Sequence, residues 1–155
     1  VREIGCPNVI TVVGDVQKID DCRRMVERTI DHFGRLDHLV NNAGISSVCL
    51  FEEARDVTVF RTVMDTNFWG TAYITRFAIP YLRDTRGKII VLSSSAAWLP
   101  VPRMNIYNAS KAAMLQFFET LRVELESDIH ILTVTPGLIE TEATQDRVEE
   151  MIPPV

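Results

Sequence analysis

Residues 88–95 read Lys-Ile-Ile-Val-Leu-Ser-Ser-Ser. Four consecutive apolar residues with no polar alternation describe a strand covered on both faces, the habit of parallel sheets. Outward from this run the chain repeats strand and helix. Upstream, Val57, Phe60, Met64, Phe68 and Ala72 share one stripe, which predicts a helix over about 56–82 with Pro80 near its end, where its cost is lowest. Before that helix, Leu36 to Asn41 is a short strand. Ile19, Cys22, Met25, Val26, Ile30 and Phe33 recur at three- and four-residue steps, predicting a helix that Gly34 stops. Val9 to Gly14 reads as a further buried strand. Downstream, a proline-rich loop leads to a helix over about 106–126 and a strand over 129–135 closed by Pro136-Gly137. Strand, helix, strand, helix, strand, helix, strand implies parallel pairing, so the fold class is α/β, a doubly wound parallel sheet.

Composition narrows the function. The 155 residues are 46% hydrophobic and 24% charged, which fits one domain over 1–155 without repeats or linkers. The longest uncharged stretch, 89–102, carries three serines and two prolines and is too short for a membrane span of about 20 residues. No secretory leader pattern opens the chain. The net charge of −5, with 21 acidic against 16 basic residues and no basic cluster, argues against nucleic acid and for a small-molecule partner. Cys6, Cys22 and Cys49 form no Cys-x-x-Cys pair and fit reduced thiols in a cytosol-facing protein. His32, His38 and His130 lack zinc-motif spacing, so no metal site is expected. The seven glycines stand at least nine residues apart, and no Gly-rich phosphate loop can be built from them.

In doubly wound sheets ligands bind at the carboxyl ends of the strands. Asp15, Asn41-Asn42-Ala43-Gly44, Ser93-Ser94-Ser95 and Pro136-Gly137 all fall there. Tyr107 and Lys111, at i and i+4 near a helix start, share one face. They read either as a half-buried tyrosine beside a surface lysine or as an acid/base tyrosine activated by an ammonium, since a nearby positive charge favours an ionised phenol. Ser94, at a strand end 13 residues before Tyr107, could bond a substrate carbonyl or simply end the strand. Asn67 sits mid-helix, where asparagine is a poor helix former; a solvated face would explain it. Asn108-Ala109-Ser110 matches a glycosylation sequon, but it lies in the helix that starts at the candidate site of a chain without a secretory leader pattern, and the match is read as coincidence.

Together these residues resemble the short-chain dehydrogenase/reductases. The match spans nearly the whole chain through Asp15, FGRLDHLVNNAG (33–44), Asn67, the serine triplet, YNASK (107–111) and PG (136–137). The stretches FGRLDHLVNNAGI, SSSAAWLPVPRMNIYNASKAAMLQFFETLRVEL and VTPGLIET are most similar to plant 11β-hydroxysteroid dehydrogenase-like, steroleosin-type members. The resemblance implies an NAD(P)-dependent oxidoreductase that interconverts a hydroxyl and a carbonyl on a lipophilic, steroid-like substrate, with NADP the favoured cofactor and NAD the other choice. It implies that Tyr107 exchanges the proton, Lys111 bonds the nicotinamide ribose, Ser94 holds the substrate oxygen and Asn67 anchors a relay water. Asp15 and Val16 would meet the adenine, and Asn41, Ala43 and Gly44 would line the cofactor groove. Pro136, Gly137, Ile139 and Thr141 would hold the nicotinamide. Trp98, Leu99, Val101 and Pro102 would offer an apolar wall. A homodimer through the two long helices, and a lipid-droplet or membrane anchor in a preceding segment, are further implications.

Against the family pattern, the sequence lacks the first two strands, with their Gly-rich turn, and the last strand. The absent pair belongs between the strands at 9–14 and 36–41, so the first strand is expected either to re-pair beside the second or to detach. Without the phosphate turn, the chain is expected to bind nicotinamide cofactor poorly. The other reading is a catalytically silent remnant that acts as an interaction module.

Overall fold

A computed structural model describes residues 8–139. The elements are α1 (Ile19–Phe33), β1 (His38–Asn41), α2 (Arg61–Met64), α3 (Thr71–Thr85), β2 (Lys88–Leu92), α4 (Asn105–Glu124) and β3 (His130–Val134). Asp56 accepts from the Thr58 N–H and opens a 3₁₀ turn, Val57–Phe60, that runs into α2. A π-helical segment, Asp65–Gly70, joins α2 to α3, so the helix expected over 56–82 is one helical rod with a widened middle. Pro80 lies inside α3, which continues to Thr85. Gly34 takes φ 73° and returns its N–H to the Ile30 carbonyl, the stop that the sequence predicts.

The three strands pair in parallel in the order β1-β2-β3, with Leu39, Ile89 and Ile131 in register and Val40, Ile90 and Leu132 one step along. Strand alternation sends these two rows to opposite faces. Leu39, Ile89, Val91 and Ile131 are buried in one cluster with Val26 of α1, Ala78 and Leu82 of α3, and Met114, Phe118 and Leu121 of α4. The other row is open: Val40 is 55% and Leu132 57% exposed. Lys88–Ser93 is therefore covered by helices on one face only among the described residues, which corrects the two-sided burial read from its apolar run. Continuous apolar sequence reports that both faces suit burial, and only the placement of neighbouring elements decides whether both are buried.

Val9–Gly14 forms no strand. The sheet pairs β1 only with β2, and a strand needs a neighbour for its backbone groups. The segment instead lies extended along α1, held by that helix's side chains. His32 Nε2 stands 2.9 Å from Asn8 Oδ1, Arg24 donates to the Val13 carbonyl at 2.9 Å, and Asp21 accepts from the Asp15 N–H at 2.9 Å. The buried Cys22 thiol donates to the Val16 carbonyl, and burial pushes that thiol up, away from reactive thiolate. Detachment is thus the outcome, with α1 serving in place of a strand partner.

One-sided coverage predicts unequal responses to truncation in the 155-residue chain. Ile89→Ala removes a fully buried side chain and should lose about 2–5 kcal/mol in urea unfolding. Leu132→Ala, on the same sheet but the open face, should lose less than about 1 kcal/mol. Equal losses would mean that the second face is covered.

Candidate active site

The carboxyl ends of β2 and β3 are tied together by backbone bonds that continue past the sheet. Ser93 N–H donates to the Val134 carbonyl at 2.8 Å and Ser95 N–H to the Pro136 carbonyl at 2.9 Å. The serine triplet and Pro136-Gly137 are thereby neighbours. The triplet divides its labour. Buried Ser93 donates its hydroxyl to the Lys111 carbonyl at 3.1 Å, fixing α4 against the end of β2. Ser94 Oγ accepts from the Ala96 N–H at 3.1 Å, capping the 3₁₀ turn Ser95–Ala97 and leaving its proton to be donated elsewhere.

Tyr107 and Lys111 occupy the first two turns of α4, one helical turn apart. Tyr107 is partly exposed, whereas Lys111 is 5% exposed and its Nζ lies 5.7 Å from the centre of the Tyr107 ring. Lys111 Nζ donates to the Leu92 carbonyl at 2.8 Å, at the last residue of β2. Of the two readings open for this pair, a surface lysine is excluded. Burial penalises the ammonium and lowers its pKa from 10.5 to about 8, so it remains mostly charged at neutral pH. Gly44 lies against the same group: a Cβ there would stand 3.3 Å from Asn67 Oδ1 and 3.5 Å from Lys111 Nζ. A side chain there would crowd the Asn67 amide oxygen and stand in contact with the ammonium.

Asn67 is fully buried in the π-helical segment, not on a solvated face. Its Oδ1 accepts from the Ile45 N–H at 2.8 Å, and its Nδ2 donates to the Ile45 carbonyl and to Ser110 Oγ, each at 2.9 Å. Both amide protons are committed inside the protein, so a relay water held by this residue would donate to one of its oxygens. Asn41 also turns inward, donating to Thr75 Oγ1 at 2.9 Å. Asp15 forms a local turn in which its Oδ1 accepts from the Gln17 N–H. Val16 packs against the end of the π segment, where a Cβ on Gly70 would meet it at 2.8 Å. Gly137 and Ile139 are exposed beyond β3, and Thr141 lies outside the described residues. Among the described residues no group of His, Cys, Asp and Glu could hold a metal ion.

One participant, Thr75, escapes a reading of the sequence, as do the bonds of Ser93 and Ser110, which the sequence places in the serine triplet and in YNASK. Each of the three is a buried polar side chain with a partner at least 18 residues away. A buried serine in a helix carries no periodic signal, and burial of Ser110 also speaks against the Asn108–Ser110 sequon as a modification site.

Parallel strands whose carboxyl ends gather a tyrosine, a buried lysine and a serine turn define an α/β protein of the Rossmann type. The sequence matches the short chain dehydrogenase family over residues 1–152, and the chain belongs to that family of oxidoreductases. It is 62% identical to 11-beta-hydroxysteroid dehydrogenase 1A of Arabidopsis thaliana over 146 residues, covering 94% of this chain and 42% of that protein. Against 11-beta-hydroxysteroid dehydrogenase A of Sesamum indicum the identity is 61%, with the same coverage. The chain thus spans less than half the length of these plant relatives. Among solved structures, the KRED1-Pglu enzyme matches at TM-score 0.85 and 33% identity, covering 91% of this chain and 58% of that one. A Burkholderia cenocepacia short chain dehydrogenase in complex with NADP matches at TM-score 0.83 and 32% identity, covering 97% and 60%.

The lysine gives a signed pH prediction. Below about pH 8 Lys111 is charged in both folded and unfolded chains. Between about 8 and 10.5 the folded chain has released the proton while the unfolded chain still holds it, so stability rises with pH. The gain is on the order of 3 kcal/mol relative to Lys111→Met, read from urea unfolding across that window. A flat difference between the two proteins would overturn it.

Proposed function

We propose that this chain supplies the catalytic part of an NAD(P)-dependent oxidoreductase that interconverts a hydroxyl and a carbonyl on a lipophilic, steroid-like substrate. The observation that carries the reading is the buried Lys111 ammonium, one turn from Tyr107 and open to Gly44 backbone. NADP is the favoured cofactor, supported by the NADP that accompanies two of the similar structures. The residues fit its nicotinamide ribose: Gly44 leaves room that a side chain would fill, and Lys111 has further N–H donors beyond the one given to Leu92. Asp15, Val16, Ala43 and the segment Pro136, Gly137, Ile139 and Thr141 complete the proposed cofactor contacts. The cofactor, when bound, supplies hydride transfer.

The protein's own share is orientation and proton transfer. Tyr107 exchanges a proton with the substrate oxygen, and Lys111 favours the ionised phenol by its charge. Ser94 donates its remaining hydroxyl proton to that oxygen. Asn41 lines the cofactor groove, and Asn67, whose amide holds the Ile45 backbone, anchors a relay water. Around the site, Trp98, Leu99 and Leu138 are exposed apolar groups on segments joined by the Ser95–Pro136 bond, which supports a lipophilic substrate. No helix among the described residues is long and apolar enough to cross a membrane. Lipid-droplet association through a further segment, which the resemblance to steroleosin-type members implies, and a homodimer are finer parts of the same reading. The dimer would use the two long helices, at about 56–82 and 106–126; on α4, Ala113, Gln116, Phe117 and Leu121 line a surface groove of about 370 Å³.

Two measurements test the reading. In the full-length form, Tyr107→Phe should lower turnover of a lipophilic secondary alcohol with NADP by about 10²-fold or more without changing the unfolding midpoint. Unchanged turnover would remove Tyr107 from the chemistry. In the 155-residue chain, whose glycines form no phosphate loop, titration with reduced cofactor should show binding weaker than micromolar. Micromolar binding would mean that the phosphates are held by other residues of this chain.

A further inference from the structure

Ser110 is a buried polar residue with no role in the proposed reaction. It is fully buried within α4, where a hydroxyl must find partners inside the protein. It has two. Its Oγ donates to the Tyr107 carbonyl at 2.7 Å and accepts from Asn67 Nδ2 at 2.9 Å.

The direction of every bond in this path is forced. Ile45 N–H can only donate, so Asn67 must turn Oδ1 toward it; Nδ2 then faces both the Ile45 carbonyl and Ser110. Ser110 must accept there, and its single proton goes to Tyr107. The path therefore runs unbroken from the backbone beside Gly44, through a buried amide and a buried hydroxyl, to the backbone of Tyr107. It joins two segments, the loop after β1 and the first turns of α4, that flank Lys111 Nζ.

We propose that Ser110 is a positioning residue that holds the Gly44–Ile45 loop in register with the turn of α4 carrying Tyr107 and Lys111, acting through the Asn67 amide. Its importance for catalysis rests on the acid/base reading of Tyr107. The test does not use turnover, so failure of one is distinguishable from failure of the other.

Amide hydrogen exchange in the full 155-residue chain, followed by NMR, reads the coupling directly. Ser110→Ala leaves one Asn67 Nδ2 proton without an acceptor in a dry site, and the amide loosens its hold on Ile45. The Ile45 N–H should then exchange about tenfold faster or more, while Val26 of α1 keeps its wild-type rate. Ser110→Cys, close in size but a weak acceptor, should fall between the two. A serine that merely packs α4 would leave Ile45 exchange unchanged in Ser110→Ala, and that result overturns the proposal. If Ser110→Ala loses protection throughout, Ser110→Cys carries the same test: acceleration at Ile45 without acceleration at Val26 supports the coupling, and equal rates at Ile45 overturn it.

Discussion

Burying an ammonium at the end of a parallel strand constrains everything around it. Lys111 gives up most of its hydration and receives in return the carbonyl of Leu92, the last residue of β2. For that bond to form, α4 must sit at one height over the strand. Ser93 sets the height by bonding the Lys111 carbonyl, so two neighbouring residues of one strand end grip both ends of the same lysine. The loop after β1 must then pass close by with no side chain, and Gly44 occupies that place.

The same economy explains Asn67. A primary amide in the interior is costly unless its donors and acceptors are met. Here they are met by backbone from a different segment, so the amide works as a bracket between the helical rod and the loop. The π-helical stretch puts that bracket inside the protein, at the widened part of the rod next to α4. Widened turns of this kind are frequent where a helix carries a functional side chain. Among the described residues helices cover one face of the sheet, and the bonds that join the ends of β2 and β3 run along its carboxyl edge.

Periodicity made the elements legible. The apolar steps of α1, the run Ile89–Leu92 and the stripe over 57–72 reflect which residues must leave water, and they located two helices and the central strand within a few residues. The same signal failed at Val9–Gly14. Apolar, β-favouring residues define a segment that can be a strand, but a strand exists only beside a partner, and the extended segment is held by α1 side chains instead. Tyr107 and Lys111 were visible as an i, i+4 pair, Asn67 as an asparagine in mid-helix and Ser94 at a strand end, and the family resemblance supplied their candidate roles. Thr75 and the bonds of Ser93 and Ser110 were invisible because a buried hydroxyl leaves no pattern along the chain.

The sequence by itself determined the alternation of strand and helix, the family, and the residue types at the strand ends, because local propensity and spacing are properties of the chain alone. The tertiary structure decided which of those residues are donors to one another. It gave Asn67, read as a relay-water anchor, and Asn41, read as lining the cofactor groove, partners inside the protein, gave Lys111 its carbonyl partner and its lowered pKa, and among the described residues left one face of the sheet open. Each of these depends on distances between segments far apart in sequence, and such distances are set only when the core closes.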